Sequence, residues 1–481
     1  MGSGSRRESM GINLARTAPN PVRMRLPSRS EIRTMFTLAL PVVIAQVGLM
    51  AMGVVDTLMV GRVSADALAA VALGNLYFLA LIVPSSGTLM VLDPIVAQAV
   101  GAGDSEGVAR GVQRGLVLVA VLGLFTSILL LPVRPVLVLL HQPPILVPLS
   151  ASYVLISILG VFPFLAFVVF RQSLQAMGEM RVMVHVIVVA NLVNALLNWV
   201  FVYGHLGSPA MGAPGSAWAT MVARWLMAAL LLGAGWRRLH PALRPWRKET
   251  LHFKPLLTML RLGVPIGLHQ AVELGAFAAI GVLMGVLGTR EMAAHQVAIN
   301  LASLTFMVPL GVGAAAAVRV GHATGAGDAD GARESAGAAI VVGVGFMTIA
   351  AIVLLIFPRA IAELYTRDAP VIALAAALIP IAGVFQVFDG IQAVCAGVLR
   401  GLGDTRVPFL INVAGFWLAG FPVSIALGFR TPLGALGLWW GFVAGLMAVA
   451  ALLLFRVRSL LRAPIVRTAV DDDALHFATD P

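Results

Sequence analysis

The run LGVPIGLHQAVELGAFAAIGVLMGVLG, residues 262–288, decides the fold of this chain. Arg261 and Arg290 flank it, and Glu273 is its one acid. It is longer than the roughly 20 apolar residues that a helix needs to cross a bilayer. As a helix it puts Glu273 about 18 Å in from Arg261. A carboxylate so close to the bilayer centre is costly, so it is expected to face a protein-lined or watery interior and to act there.

The same region repeats. Shifted back by 224 positions, Pro265 falls on Pro41, Gly285 on Gly61, Ala294 on Ala70 and Gly311 on Gly87, and Gly-Ala-Gly-Asp at 325–328 falls on the same tetrapeptide at 101–104. Further along, LRGLGDTR at 399–406 falls on LQAMGEMR at 174–181, and Gly434-Ala435 on Gly212-Ala213. An ungapped match of that length predicts two structurally equivalent halves.

Composition agrees with a membrane protein. Hydrophobic residues make up 59% of the 481 and charged residues only 11%, with mean hydropathy +0.94; soluble domains carry about 25% charged residues. The single cysteine, Cys395, excludes an internal disulfide framework and a cysteine-based metal cluster. Residues 1–33 are polar and basic and show no apolar core followed by a cleavage site, so no signal peptide is expected.

Twelve apolar stretches are long enough to span: 34–60, 66–96, 115–132, 149–170, 183–203, 215–235, 259–287, 292–318, 336–357, 370–397, 407–428 and 434–456. The predicted fold is all-α and polytopic, with six spans in each half. The expected organisation is a basic cytoplasmic segment (1–33), an N-lobe (34–235), a basic, proline-bearing cytoplasmic linker (236–258), a C-lobe (259–456) and a cytoplasmic tail (457–481). An even number of spans per half keeps equivalent loops on one side of the membrane, so the repeat is parallel, about an axis along the membrane normal. Of the 33 basic residues, only Arg62, Arg134, Arg224, Arg290, Arg359, Arg367 and Arg430 fall off the side that carries the termini. Both termini are therefore expected in the cytoplasm. The formal charge of +11 is spread over short loops without an aromatic stacking platform, and no nucleic-acid partner is expected.

Four acids lie inside spans: Asp56, Asp93, Glu273 and Asp389. Asp389 is about 16 Å from Arg400 along a helix, a depth like that of Glu273. Two carboxylates at one depth in one half can chelate Na⁺ through hard oxygen ligands or share a titrating proton. Asp56 lies about 9 Å from Arg62. Asn194 and Asn198 share a helix face at i, i+4 and fall near its depth. This trio reads either as a cation- or proton-sensitive cluster, or as a snorkelling acid beside helix-gluing carboxamides. Asp93, next to Pro94, reads as structural. His269 stands one turn before Glu273, as a modulator of its proton affinity or as an ordinary core histidine. Pro41 and Pro265 mark equivalent bends. Gly-Ala-Gly-Asp lacks a Walker lysine and reads as a turn. No catalytic triad, HExxH or kinase set occurs, so no catalytic centre and no cofactor are expected.

Several pieces resemble the multidrug and toxic compound extrusion (MATE) family, in its NorM-like branch. They are VDTLMVGRVSADALAAVALGN at 55–75, VAQAVGAGD at 96–104, the run from Gly263 to Gly321 with EMAAHQVAIN, and QVFDGIQAVCAGVLRGLGDT at 386–405. The resemblance covers residues 34–456. It implies two six-helix bundles in a V around a central cavity, in a monomer of the bacterial inner membrane that exports amphipathic, mostly cationic compounds against inward Na⁺ or H⁺. It places Asp56, Asn194 and Asn198 at the family's N-lobe polar site and Glu273 and Asp389 at its C-lobe cation site. Asp368, in YTRDAP, is similar to an acid that contacts substrate in some members. His269 and Asp93 depart from the pattern, and His269 is a candidate at the substrate or cation site. A flippase for a lipid-linked precursor is the alternative within the wider superfamily. Such a protein calls for a cationic cavity, whereas Arg224 is the one mid-span cation expected.

Overall fold

A computed structural model describes residues 27–468 and 470. Residues 1–26 of the basic N-terminal segment, and 469 and 471–481 of the expected tail, lie outside the described residues. Eleven unbroken or nearly unbroken helices are long and apolar enough to cross a membrane, and one bent pair makes a twelfth. In chain order they are α1 (Arg29–Gly61), α2 (Ala65–Gly101), α3 (Ser105–Leu130), α4 (Leu146–Ile158 and Val161–Ala176, bent by 49°), α5 (Arg181–Tyr203), α6 (Ala213–Ala234), α7 (Phe253–Leu287), α8 (Thr289–Gly325), α9 (Ala329–Ile356), α10 (Ala369–Gly401), α11 (Arg406–Phe429) and α12 (Ala435–Arg462). The chain is a multi-pass, all-helical membrane protein.

Most helices begin earlier than hydropathy alone suggests, and several end later. Ser28 caps α1, accepting from the Glu31 N–H at 3.2 Å, so residues 29–33 are helical. Helix α12 continues to Arg462. Between the halves the linker folds into a helix, Trp236–Leu243, and a short 3₁₀ turn, Lys248–Leu251, before α7 starts at Phe253. Charged ends can extend a helix into the interface, where its outer carbonyls meet water, and hydropathy does not register this.

Asp104 and Asp328 explain the repeated tetrapeptide. Each caps the helix that follows, accepting from the Gly107 and Gly331 N–H groups at 2.7 and 2.8 Å. Gly103 and Gly327 precede them at φ +68 and +70, a conformation natural to glycine. Pro41 and Pro265 sit inside α1 and α7 without breaking them.

Each half has its own apolar core, and the halves exchange one helix end. Met35 and Ala39 of α1 join the second core, while Met259 and Ile266 of α7 join the first. The halves meet near the ends of the described chain in a seam that obeys the internal repeat. A Cβ placed on Gly101 would stand 2.0 Å from the His322 carbonyl oxygen, and one on Gly325 1.9 Å from that of Gln98. These two contacts are images of each other under the shift of 224. Polar groups are paired in the same way. Gln98 Nε2 donates to the Gly401 carbonyl at 2.9 Å, and His322 Nε2 to that of Ala176 at 2.7 Å. Ala176 and Gly401 are themselves repeat partners. Higher up, Gly87 packs on Gly267, and Gly311 on Val43, the repeat images of those two residues. Small residues let helix backbones approach this closely. The seam therefore closes the end of the molecule where the described chain begins and ends, at residues 27 and 470.

Candidate functional site

Beyond the seam, between the two halves, lies a cavity of about 520 Å³. Its wall is mainly apolar, with Phe164, Phe277, Phe306, Met307 and Phe385 among its residues, and Glu273 and Asp389 both line it. The volume lies within the range of small-molecule sites, about 300–1,000 Å³. The wall also contains Arg171, which donates to Gln46 Oε1 at 3.0 Å. Sequence reasoning set Arg171 at a helix end and counted Arg224 as the one mid-span cation. The bend in α4 brings Arg171 into the cavity, whereas Arg224 is outside it, 4.3 Å from the centre of the Phe78 ring.

The two carboxylates are held differently. Glu273 Oε1 accepts from Gln392 Nε2 at 3.1 Å, and its Oε2 lies 3.8 Å from His269 Nε2. His269 Nε2 in turn accepts from Asn412 Nδ2 at 2.9 Å. Asp389 is buried, and its Oδ1 meets no hydrogen-bond partner among the described residues. Gln392 is one helical turn from Asp389 on α10, so that turn serves both acids. A buried carboxylate oxygen with no donor is a ready acceptor for a proton or a small cation. No group of three or more His, Cys, Asp or Glu side chains able to hold a metal occurs among the described residues, so Na⁺ here would rely on carboxamide and backbone oxygens beside Glu273 and Asp389.

The wall of α11 that faces Glu273 is irregular. Residues Ala414–Gly420 form a π-helical segment. Within it, Trp417 Nε1 donates to the carbonyl of Val272, the residue before Glu273, at 3.2 Å. Such π-segments often accompany functional sites.

A second cluster fills the N-half. Asp56 Oδ1 accepts from Asn198 Nδ2 and its Oδ2 from Thr220 Oγ1, both at 2.6 Å. Asn198 Nδ2 also lies 3.2 Å from Asn194 Oδ1, and Asn194 Nδ2 3.5 Å from Thr220 Oγ1. All four residues are buried, so Asp56 does not snorkel. This cluster lies within its own bundle and does not line the central cavity.

Asp368 is elsewhere. It caps α10, accepting from the Val371 N–H at 3.1 Å, and borders a groove of about 470 Å³ with Gln296, Asn300 and Tyr365, apart from the central cavity. Asp93 is fully buried and lies 3.5 Å from Arg400 across the halves.

Sequence reasoning did not single out Thr220, Gln392, Asn412 or Arg400. Gln392 was accessible through its i, i+3 relation to Asp389; the other three touch their partners only through tertiary packing.

Comparison with known proteins fits this architecture. The MatE family model matches residues 41–200 and 265–426, one segment in each half. The chain is 38% identical to the multidrug resistance protein NorM of Burkholderia vietnamiensis, covering 94% of this chain and 99% of that one. It is 37% identical to a probable NorM of Rhizobium meliloti, over 90% and 94% of the two chains. It is also 36% identical to the multidrug resistance protein PmpM of Pseudomonas aeruginosa, over 91% and 93%. Among solved structures, an outward-facing MATE transporter superposes with TM-score 0.82 at 19% identity over 90% and 96% of the chains. The eukaryotic MATE transporter AtDTX14 superposes with TM-score 0.81 at 21% over 93% and 98%. At that identity the structural likeness concerns the fold. With the family model and these relatives spanning both halves, the chain belongs to the MATE family of multidrug and toxic compound extrusion transporters, in its NorM-like branch.

Proposed function

We propose that this protein is a secondary active efflux antiporter of the bacterial inner membrane. It exports amphipathic, mostly cationic compounds in exchange for inward Na⁺ or H⁺, with both termini in the cytoplasm. The observation that carries the reading is the cavity between the halves, apolar over most of its wall and holding the carboxylates of Glu273 and Asp389. Apolar, Met- and Phe-bearing walls accept varied ligands without tight geometry. Buried carboxylates supply the countercharge for an organic cation and a site for the coupling ion.

Exchange follows from competition for these acids. In this reading the closed seam faces the cytoplasm, and the arrangement with it closed is the outward-facing arm of the cycle. An external cation that neutralises Glu273 and Asp389 weakens their hold on a cationic drug, which leaves outward. The halves then rock, the ion is released inward, and a new drug enters from the cytoplasm or inner leaflet. Coupling requires only that ion and drug disfavour each other's binding.

The test is dye efflux from proteoliposomes driven in turn by an imposed Na⁺ gradient and an imposed pH gradient. The expected result is export under at least one gradient. Export under neither overturns the antiporter reading and favours a lipid-linked precursor as cargo, a case in which Arg171 would meet a phosphate.

A further inference from the structure

Glu273 stands at the junction of two cavities. One is the central cavity. The other is a narrow cleft of about 70 Å³ inside the C-half. Gln270, Glu273, Phe306 and Leu310 line both. From Glu273 the cleft passes His269 and Gln392 and ends at Arg400, Asp404 and Thr405, at the turn between α10 and α11 on the side of the seam. Asp389 lines only the central cavity, and His269 only the cleft.

We propose that this cleft is the inward exit of the coupling ion, so that the ion leaves through the C-half and the drug travels between the halves. The proposal rests on the antiporter reading above. A monovalent cation, Na⁺ or hydronium, is received at Asp389 in the central cavity, passes to Glu273, and continues along the cleft to the cytoplasmic turn.

Three observations support the route. The first is unmet polarity along its walls. Gln392 Oε1 and Thr405 Oγ1 belong to side chains only 1% and 5% exposed, and neither oxygen has a hydrogen-bond partner among the described residues. Buried polar atoms are rarely left bare, and water is their usual partner in a polar channel. The volume is enough for about five water-sized spheres. Second, Glu273 is turned towards the cleft, since its two contacts, Gln392 and His269, are both cleft residues. Third, the charged residues at the outer end of the cleft, Arg400 and Asp404, each face an opposite charge. Arg400 faces Asp93 at 3.5 Å, and Arg456 donates to Asp404 at 2.7 Å. The unbalanced charge at the inner end is then the Glu273 carboxylate, which attracts a cation.

The test fills the cleft without touching either acid. Ala396 lines it one turn before Arg400 and does not line the central cavity. In Ala396→Leu, efflux driven by the effective gradient is expected to fall at least about tenfold while equilibrium dye binding to the purified protein stays within about twofold; Ala396→Ser should match wild type. Running both gradients distinguishes Na⁺ from H⁺ as the ion. Efflux by Ala396→Leu within about twofold of wild type, or dye affinity falling in step with efflux, overturns the route. A second readout requires no transport. In Cys395→Ala combined with Ala396→Cys, Ag⁺ added at the cytoplasmic face should protect the introduced thiol from a maleimide faster than Ag⁺ added outside. Equal protection from both faces, or none, overturns the route even if wild-type protein moves no dye. Failure of wild-type export counts against the antiporter reading instead.

Discussion

The Asp93 carboxylate lies 3.5 Å from the Arg400 guanidinium, and this pair ties α2 of one half to α10 of the other. Asp93 is fully buried and Arg400 is 11% exposed. Deleting one partner of a buried pair leaves an uncompensated charge, at a cost of about 3–5 kcal/mol, whereas apolar replacement of both is often tolerated. Asp93→Asn is therefore expected to lower the melting temperature in detergent markedly, and Asp93→Leu with Arg400→Met should recover much of the loss. A thermal scan of Asp93→Leu, Arg400→Met and the double variant checks this; simple additivity would refute direct pairing.

The glycine seam should control which face is closed. A side chain on Gly101 or Gly325 would collide with the carbonyl of His322 or Gln98. Overpacking typically costs about 1–3 kcal/mol, here only in the state with the seam closed. Gly325→Ala should shift the population away from that state by about tenfold. Distances between spin labels on the seam ends of α2 and α8 should lengthen in the variant. An unchanged distance distribution would show that the seam yields without opening.

The carboxylates of the cavity should differ in their contribution. Asp389→Asn replaces the acid whose Oδ1 is unpartnered, and Glu273→Gln replaces the one held by Gln392. At least one of these variants is expected to lose about tenfold or more in ion-driven dye efflux, equivalent to about 1.4 kcal/mol of coupling. Proteoliposome assays at matched protein density decide it, and full coupled transport by both variants would remove these acids from the coupling site.

Thr220 supports Asp56 from α6 at 2.6 Å. A hydrogen bond to a charged or buried acceptor contributes about 1.5–3 kcal/mol, so Thr220→Val should destabilise the N-half and Thr220→Ser should restore it. The midpoint of thermal unfolding in detergent reads both. A loss for serine with none for valine would point to the methyl group rather than the hydroxyl.

Much of this architecture is present in the sequence because it depends on local chemistry. Hydropathy marks the spans, the tetrapeptides at 101 and 325 mark capped turns, and the shift of 224 marks the repeat. The depth arithmetic that set Glu273 beside Asp389 needs only helical rise. What the sequence withheld depends on packing between distant helices. The bend of α4 falls at Gly160 and Pro163, but that Arg171 beyond it lines the cavity depends on packing, and Asp93 became an inter-half partner only through α10. Asn412 and Trp417 reach the turn around His269 and Glu273 from α11, Trp417 from its π-helical segment, and helical periodicity gives no sign of that segment.

A last prediction concerns a strap outside the membrane helices. Residues after α12 run back across the seam, where the Thr468 N–H donates to Gln98 Oε1 and Arg467 Nη2 to Asp104 Oδ2, each at 2.7 Å. Partial burial raises the Asp104 carboxyl, but the Arg467 guanidinium and the Gly107 N–H outweigh it and hold the group below the usual carboxylate range. A carboxyl whose folded pKa is depressed stabilises the folded state above its unfolded value, and the contribution disappears as pH falls through the folded value. The strap should therefore be fully held at pH 7 and released below about pH 4. Both side chains are about one-third exposed or less, so added salt should weaken the tether only in part. Hydrogen exchange at the Thr468 amide, compared between wild type and Arg467→Ala, reads this directly. The protection gap between the two proteins should be present at pH 7 and vanish in acid, while Gly107 stays capped at pH 7 in both. No gap at pH 7 would mean that the strap is held by the Thr468–Gln98 bond and that Asp104 serves only as a helix cap.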